Sequence, residues 1–376
     1  MSLLSFSWLV AALGRATSSP VECGDALSML QGRAPPNAHI LELEYSSRRL
    51  LLHVQIGTLP AQRMLLDTGS STVAFCNVSL PEKLPGCKKT RFNACEQYGP
   101  STDGHFQDGY VGPFFQGQLT IRGAPGLRIP KARFAVFGEG SCAPWLCTDH
   151  PSQGIFGVAY RQRSKMFPST TNLSGACVRA SSAIEVLCPS STASLVPPLM
   201  QELRRTSDGS EIFGIYWSGG ASGNMYLGPA AVETQNFDSL APEVMLLDSG
   251  PGASGWYNVN VLRILIGDTE YQGVDCTKHA RACIIDTGTP SFLLPAGVSL
   301  DSLSESSKLE IHLQGVTGEV VLDFDLGLWL SQGLVGTLSS PVAFWDPLMV
   351  LGLPLWAHYY TMFNLTASTV SFSRHG

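Results

Sequence analysis

The stretch "MLLDTGSSTVAF" (residues 64–75) decides how this chain is read. Three apolar residues lead into Asp67-Thr68-Gly69-Ser70-Ser71, and apolar residues follow. Alone, such a run reads as a turn, because Asp, Ser, Thr and Gly are common turn formers. It is not alone. "CIIDTGTPSFLLP" (residues 283–295) repeats the pattern, with an apolar pair before Asp286-Thr287-Gly288-Thr289 and apolar residues after. Asp67 and Asp286 are 219 residues apart, one copy in each half of the chain. A repeat of that kind predicts two structurally similar halves. A third candidate, "MLLDSGPGASGW", places Pro251 where the other copies carry a hydroxyl residue, so Asp248-Ser249-Gly250 reads as a loop.

Bulk composition supports a mainly β fold of two or three domains or two lobes. The chain has 376 residues, 38 Gly and 24 Pro. Short apolar runs alternate with turn residues, and long amphipathic helical patterns are scarce. Charged residues make up only 14% and the formal net charge is −6, with no basic patch, which argues against a nucleic-acid partner. Ten cysteines lack a paired C-x-x-C zinc spacing. Short loops closed by disulfides are the expectation, with Cys142 and Cys147 five apart and Cys276 and Cys283 seven apart. Three N-x-[ST] triplets begin at Asn77, Asn172 and Asn364.

Residues 1–18 read as a signal peptide, with an apolar run from Leu3 to Leu13 and small residues Ala16 and Ser18 near a cleavage point. No later run is apolar enough over about 18 residues to span a membrane. A soluble, monomeric protein, secreted or in the lumen of the secretory or endolysosomal pathway, is expected. The histidines are scattered, without H-x-x-x-H spacing, and there is no G-x-S-x-G elbow or Walker loop. No metal and no cofactor are expected.

With both Asp-Thr-Gly motifs in view, the chain resembles the pepsin-like aspartic proteases over roughly residues 40–373, and within them the β-secretase-like members. That family carries an apolar-apolar-Gly element after each aspartate, matched here by Ile155-Phe156-Gly157 in "GIFGVAY" and Val350-Leu351-Gly352 in "MVLGLPLWAHYY". "LLHVQIGTLPAQRMLLDTGSS" resembles its first strands, "IFGIYWSGGASGNMYLGP" the end of its N-terminal lobe, and "GWYNVNVLRILIGD" the strands leading to the second aspartate. The resemblance implies a bilobal fold, with an N-terminal lobe over 40–230 and a C-terminal lobe over 231–376, a short propeptide-like segment over 19–39, and a peptide or protein substrate held in a cleft between the lobes. It implies that Asp67 and Asp286 share one proton and activate a water for peptide hydrolysis, with an acidic optimum and apolar residues favoured near the scissile bond. It implies that Thr68 and Thr287 join the two loops, that Gly69 and Gly288 allow close approach, and that Ser70 and Thr289 bond the carboxylates.

The chain departs from the family in several places. The flap that closes the cleft is expected in "GHFQDGYVGPFFQGQLTI" (104–121). Phe106 stands where a tyrosine is usual, before a turn at Gln107-Asp108-Gly109, and a shifted alignment makes Tyr110 that tyrosine. Ala74 replaces a common tryptophan, and Pro290 a common hydroxyl residue. No lysine precedes Lys83, so Arg33, Arg48 or Arg49 would have to stand in for the usual propeptide lysine, a strand-edge charge being the plainer role. The segment 161–198, with Cys177 and Cys188, reads as a surface insertion closed by its own disulfide, and "LVPPLMQELRR" (195–205) as the start of a short helix. The rival to an enzyme is a catalytically weak or inactive peptide-binding module of the same fold.

Overall fold

Apolar runs bounded by turn residues become strands throughout, in the order β1 (His39–Ser46), β2 (Arg49–Ile56), β3 (Gln62–Asp67), β4 (Val73–Cys76), β5 (Lys88–Pro100), β6 (Gln107–Ile121), β7 (Arg128–Phe137) and β8 (Gly154–Gly157). Four short strands follow, β9 (Lys165–Pro168), β10 (Cys177–Ala180), β11 (Ala183–Val186) and β12 (Ser194–Leu195), then β13 (Ile212–Tyr216) and β14 (Ser222–Leu227). The second half holds β15 (Glu243–Met245), β16 (Val261–Ile266), β17 (Thr269–Gln272), β18 (Cys283–Ile285), β19 (Phe292–Leu294), β20 (Lys308–Gln314), β21 (Glu319–Asp325), β22 (Val335–Thr337), β23 (Met349–Leu351), β24 (Tyr359–Asn364) and β25 (Thr369–Arg374). Helices are short: α1 (Ala230–Glu233), α2 (Gly327–Ser331) and α3 (Pro354–His358), the last with a proline in its first turn. The computed structural model describes residues 39–375 except 101–106, 125–126, 138–146, 148–150, 161–164, 174–176, 181–182, 187, 189–193, 196–198, 200–201, 204–210, 248–254, 273–275, 277–282, 301–306 and 339–348. All of them fall within the compact unit Pro35–Gly376.

The protein is mainly β, as its sequence pattern predicts. One long sheet runs β12-β9-β5-β6-β7-β4-β8-β3-β2-β1-β14-β13-β24-β25-β15. It crosses residue 230, where β13 pairs with β24 and sets Phe213 opposite Phe363. Smaller sheets are β10-β11, β17-β16-β20-β21 and β18-β23-β19-β22.

The sequence repeat is also a topological one. In the first half β3 runs parallel to β8, with Leu66 beside Phe156 and Asp67 beside Gly157, while β4 pairs antiparallel with β8 and parallel with β7. In the second half β18 runs parallel to β23, with Ile285 beside Leu351, while β19 pairs antiparallel with β23 and parallel with β22. Each apolar-apolar-Gly element therefore lies between the two strands that flank one Asp-Thr-Gly turn. These strands are buried on both faces, which is why they read as unbroken apolar runs. The glycines sit where backbone crosses backbone. A Cβ on Gly157 would lie 2.7 Å from the Ser70 carbonyl, and one on Gly352 would lie 2.0 Å from the Ser291 carbonyl oxygen.

Two expectations on disulfides are corrected. Cys276 and Cys283 close a short loop, but Cys147 pairs with Cys76 across 71 residues instead of with Cys142. Cys188 pairs with Cys95 on β5, across 93 residues, instead of with Cys177. The insertion is thus tethered to the long sheet, where β9 also pairs with β5. Sequence proximity misleads here because a disulfide needs the two Cβ atoms close in space, not close along the chain. Within "LVPPLMQELRR", Leu199, Glu202 and Leu203 are helical, and both leucines are buried. Among the described residues no helix is long and apolar enough to cross a membrane. The expected signal peptide, the segment 19–38, Arg33, Phe106 and the Asp248 turn lie outside the described residues.

Gly352→Ala should lower stability by on the order of 2–4 kcal/mol, because backbone has to move to admit the methyl group. Gly336→Ala in β22 of the same sheet, whose added Cβ would meet only Leu293 Cδ2 at 3.5 Å, should cost under about 1 kcal/mol. Thermal melts of the two variants check the difference.

Candidate active site

Each Asp-Thr-Gly turn builds a cage around its own carboxylate. The Gly69 N–H donates to Asp67 Oδ1 at 2.8 Å, and the Ser70 hydroxyl donates to Oδ2 at 2.6 Å. In the second turn the Gly288 N–H donates to Asp286 Oδ1 at 2.8 Å, and the Thr289 hydroxyl donates to Oδ2 at 2.6 Å. The same distances recur because the same backbone turn is used twice. Hydrogen bonds of this kind are charge-assisted and fix the carboxyl plane.

The two cages face one another. A Cβ on Gly69 would stand 2.7 Å from Asp286 Oδ1, and one on Gly288 would stand 2.5 Å from Asp67 Oδ1. Only glycine lets each turn come so close to the opposite carboxyl. Asp67 and Asp286 also hydrogen-bond each other, and such a bond needs a proton on one of them. Both are nearly withdrawn from solvent, at 5% and 9% exposure.

Thr68 and Thr287 lock the turns together. The Thr68 N–H donates to Thr287 Oγ1 (3.0 Å), whose hydroxyl donates to the Leu66 carbonyl (2.7 Å). Reciprocally, the Thr287 N–H donates to Thr68 Oγ1 (2.9 Å), whose hydroxyl donates to the Ile285 carbonyl (2.8 Å). Both threonines are fully buried. Each hydroxyl serves as donor and acceptor at once, which serine or threonine can do and valine cannot.

The electrostatics follow from this packing. Asp67 is pushed up to about 8, first by burial, then by the charge of Asp286 and by its hydrogen bond to that residue, against the opposing bonds from Ser70 and Gly69. A carboxyl buried against a second one favours its protonated form.

Further residues support the site without having been singled out as functional in the sequence. The Trp256 indole N–H donates to the Gly69 carbonyl at 2.9 Å. The Tyr257 hydroxyl donates to the Val158 carbonyl at 2.5 Å, and the Ser71 hydroxyl to the Tyr160 carbonyl. The Thr72 hydroxyl donates to Glu96 Oε1 at 2.9 Å, on a carboxylate that is itself buried. Trp256 and Tyr257 stand in "GWYNVNV", which reads in sequence only as an approach to a strand. Their aromatic pair beside Gly255 was the available signal.

The flap candidates are placed differently. Gln107, Asp108 and Gly109 do not form a turn. They continue β6, with Gln107 opposite Pro100 and Gly109 opposite Gln97 on β5. The strand pairing simply extends further than the Gly-rich composition suggests, and the segment joining β5 to β6 is 101–106. Tyr110 is fully buried and stacks on Phe137 with ring centroids 4.8 Å apart, in a cluster with Ala74 and Phe114. It is a core aromatic there, not a side chain on an open hairpin tip. Among the described residues no cluster of three or more metal-ligating side chains occurs. Compared with known protein families and with curated proteins, the chain matches no family model and no curated protein.

Thr68→Ala and Thr287→Ala should each cost about 2–4 kcal/mol, because each leaves a buried N–H and a buried carbonyl unpaired. The double variant should cost less than their sum, since both substitutions break one network; denaturant melts of the four proteins measure the coupling. A pH effect follows as well. Unfolded, Asp67 releases its proton near its ordinary 3.8, whereas folded it holds the proton up to about 8. The folded state binds more protons across that window, so stability is greatest below it and falls as pH rises through it. Asp67→Asn should remove most of that slope in melting temperature.

Proposed function

We propose that the chain is a pepsin-like aspartic endopeptidase, in which one half supplies Asp67 and the other Asp286 to a cleft that binds an extended peptide. The observation that carries this reading is the pair of facing carboxyls, each bonded by the same glycine N–H and hydroxyl, each turn packed against the opposite carboxyl. Burying two carboxylates face to face is costly, and a structural role would be met more cheaply by a neutral pair. A shared proton, by contrast, suits an acid and a base that act together.

In this reading the ionised carboxyl takes a proton from a water held between the two, and the protonated one donates to the scissile carbonyl. The water oxygen adds to the carbonyl carbon to give a gem-diol. The proton is then passed to the leaving nitrogen, the C–N bond breaks, and no covalent adduct forms. Activity requires one proton on the pair. It should fall at low pH as the ionised member is protonated, and at high pH as the shared proton leaves. An extended substrate of about six to eight residues, with apolar side chains near the scissile bond, suits a β-rich cleft. Three disulfides among the described residues, and exposed sequon residues Asn77 and Asn172, support a secreted or lumenal setting.

Quenched fluorescent peptides incubated from about pH 3 to 7 should be cleaved by the wild type, with a loss of at least about 1,000-fold in kcat/KM for both Asp67→Asn and Asp286→Asn. Folded wild-type protein that binds these peptides and cleaves none of them would favour the peptide-binding module.

A further inference from the structure

Arg49 is the first residue of β2. That strand runs antiparallel to β3, with Leu51 opposite Leu65 and Leu52 opposite Met64. The β2–β3 pairs end at Leu51 and Leu65, two residues short of Arg49 and of Asp67, so Arg49 lies toward the end of β3 that carries Asp67, on the face that Leu51 and Leu65 share. Arg49 also leaves a two-residue turn in which Ser47 and Arg48 both have positive φ, 50° and 62°. A hairpin turn with both central residues in that region favours Asn-Gly. Two non-glycine residues hold it under strain, and strain of this kind tends to be kept where a side chain has to be aimed.

The Arg49 side chain is anchored but not neutralised. Nη1 donates to the Arg48 carbonyl at 3.0 Å. Nε is withdrawn from solvent and has no hydrogen-bond partner. Arg63 pairs with Glu44, Arg263 with Glu319 and Arg374 with Asp323, whereas among the described residues no ion pair involves Arg49. Burial draws its proton affinity down, opposed by the charges of Asp286 and Asp67. It is therefore a half-buried guanidinium beside the aspartate pair with donors still to satisfy.

We propose that Arg49 is a specificity-determining residue, whose guanidinium binds a carboxylate of the bound peptide in a subsite beside Asp67 and Asp286. Arginine suits this because its planar fork binds a carboxylate through two parallel hydrogen bonds. The carboxylate could come from an Asp or Glu side chain or from the peptide's free C-terminus. This inference rests on the reading of the site as a peptide cleft.

The test measures binding separately from cleavage. Full-length protein carrying Asp67→Asn is titrated, by fluorescence anisotropy, with labelled peptides that differ by one Glu-for-Gln exchange at successive positions, each as C-terminal acid and amide. One position should show at least about tenfold tighter binding for Glu. Adding Arg49→Gln should abolish that ratio, Arg49→Lys should keep part of it, and Arg49→Glu should shift the preference to a Lys-containing peptide. A reversal of that kind is not produced by merely losing the bond to the Arg48 carbonyl. If the preference follows the acid over the amide instead, the terminal carboxylate is the source. The proposal is overturned if no carboxylate preference exists, or if it survives Arg49→Gln. The same peptides given to wild-type protein separate the two readings. Cleavage without acidic preference overturns the Arg49 proposal alone, and acidic preference without cleavage overturns the protease reading alone.

Discussion

Two carboxyl groups held face to face in a nearly dry space repel each other unless they share a proton, and the surrounding structure is arranged to hold them there. Donors within each turn orient the carboxyl oxygens. Crossed bonds between Thr68 and Thr287 stop the turns from drifting apart. Repulsion that would otherwise open the interface is thereby converted into an unusual proton affinity, with Asp67 pushed well above an ordinary carboxyl by burial and by its partner. Trp256 reaches from the second half to the Gly69 carbonyl and adds a further constraint on the first turn.

The constraint reaches well beyond the turns. Because each aspartate ends a strand buried on both faces, its position is set by the strand beneath it, and that strand must carry glycine where the backbones cross. The whole arrangement is built twice, so the two facing carboxyls come from residues 219 apart in the chain while sharing one local geometry. The long sheet, through the β13–β24 pairing, joins strands from both halves, so neither turn depends on its own half alone.

Much of this was legible in sequence, for a physical reason. A turn that must present a carboxyl, donate to it twice and admit a second backbone has few residue choices, and they are local. Asp67 through Ser70, Asp286 through Thr289, Gly157 and Gly352 could therefore be recognised from short patterns. So could the Cys276–Cys283 loop, whose closure depends on seven residues of chain. What could not be read depends on pairing between distant strands. Cys76 meets Cys147, and Cys95 meets Cys188, across 71 and 93 residues of chain, which no local spacing encodes. Gln107, Asp108 and Gly109 have turn composition, yet β5 pairs with Gln107 and Gly109 and keeps the segment in β6. Arg49 reads in sequence as a strand-edge charge, because only the pairing of β2 with β3 brings it toward the end of the strand that carries Asp67.

The most direct test of the central claim is to count protons on the pair. Infrared difference spectra of wild type against Asp67→Asn at about pH 6 distinguish a protonated carboxyl from an ionised one. The account predicts one protonated carboxyl in the wild type that is absent from the variant, with its partner ionised. Two ionised carboxylates in the wild type at that pH would contradict it, because the side chains would then be too far apart, or too well solvated, to share a proton.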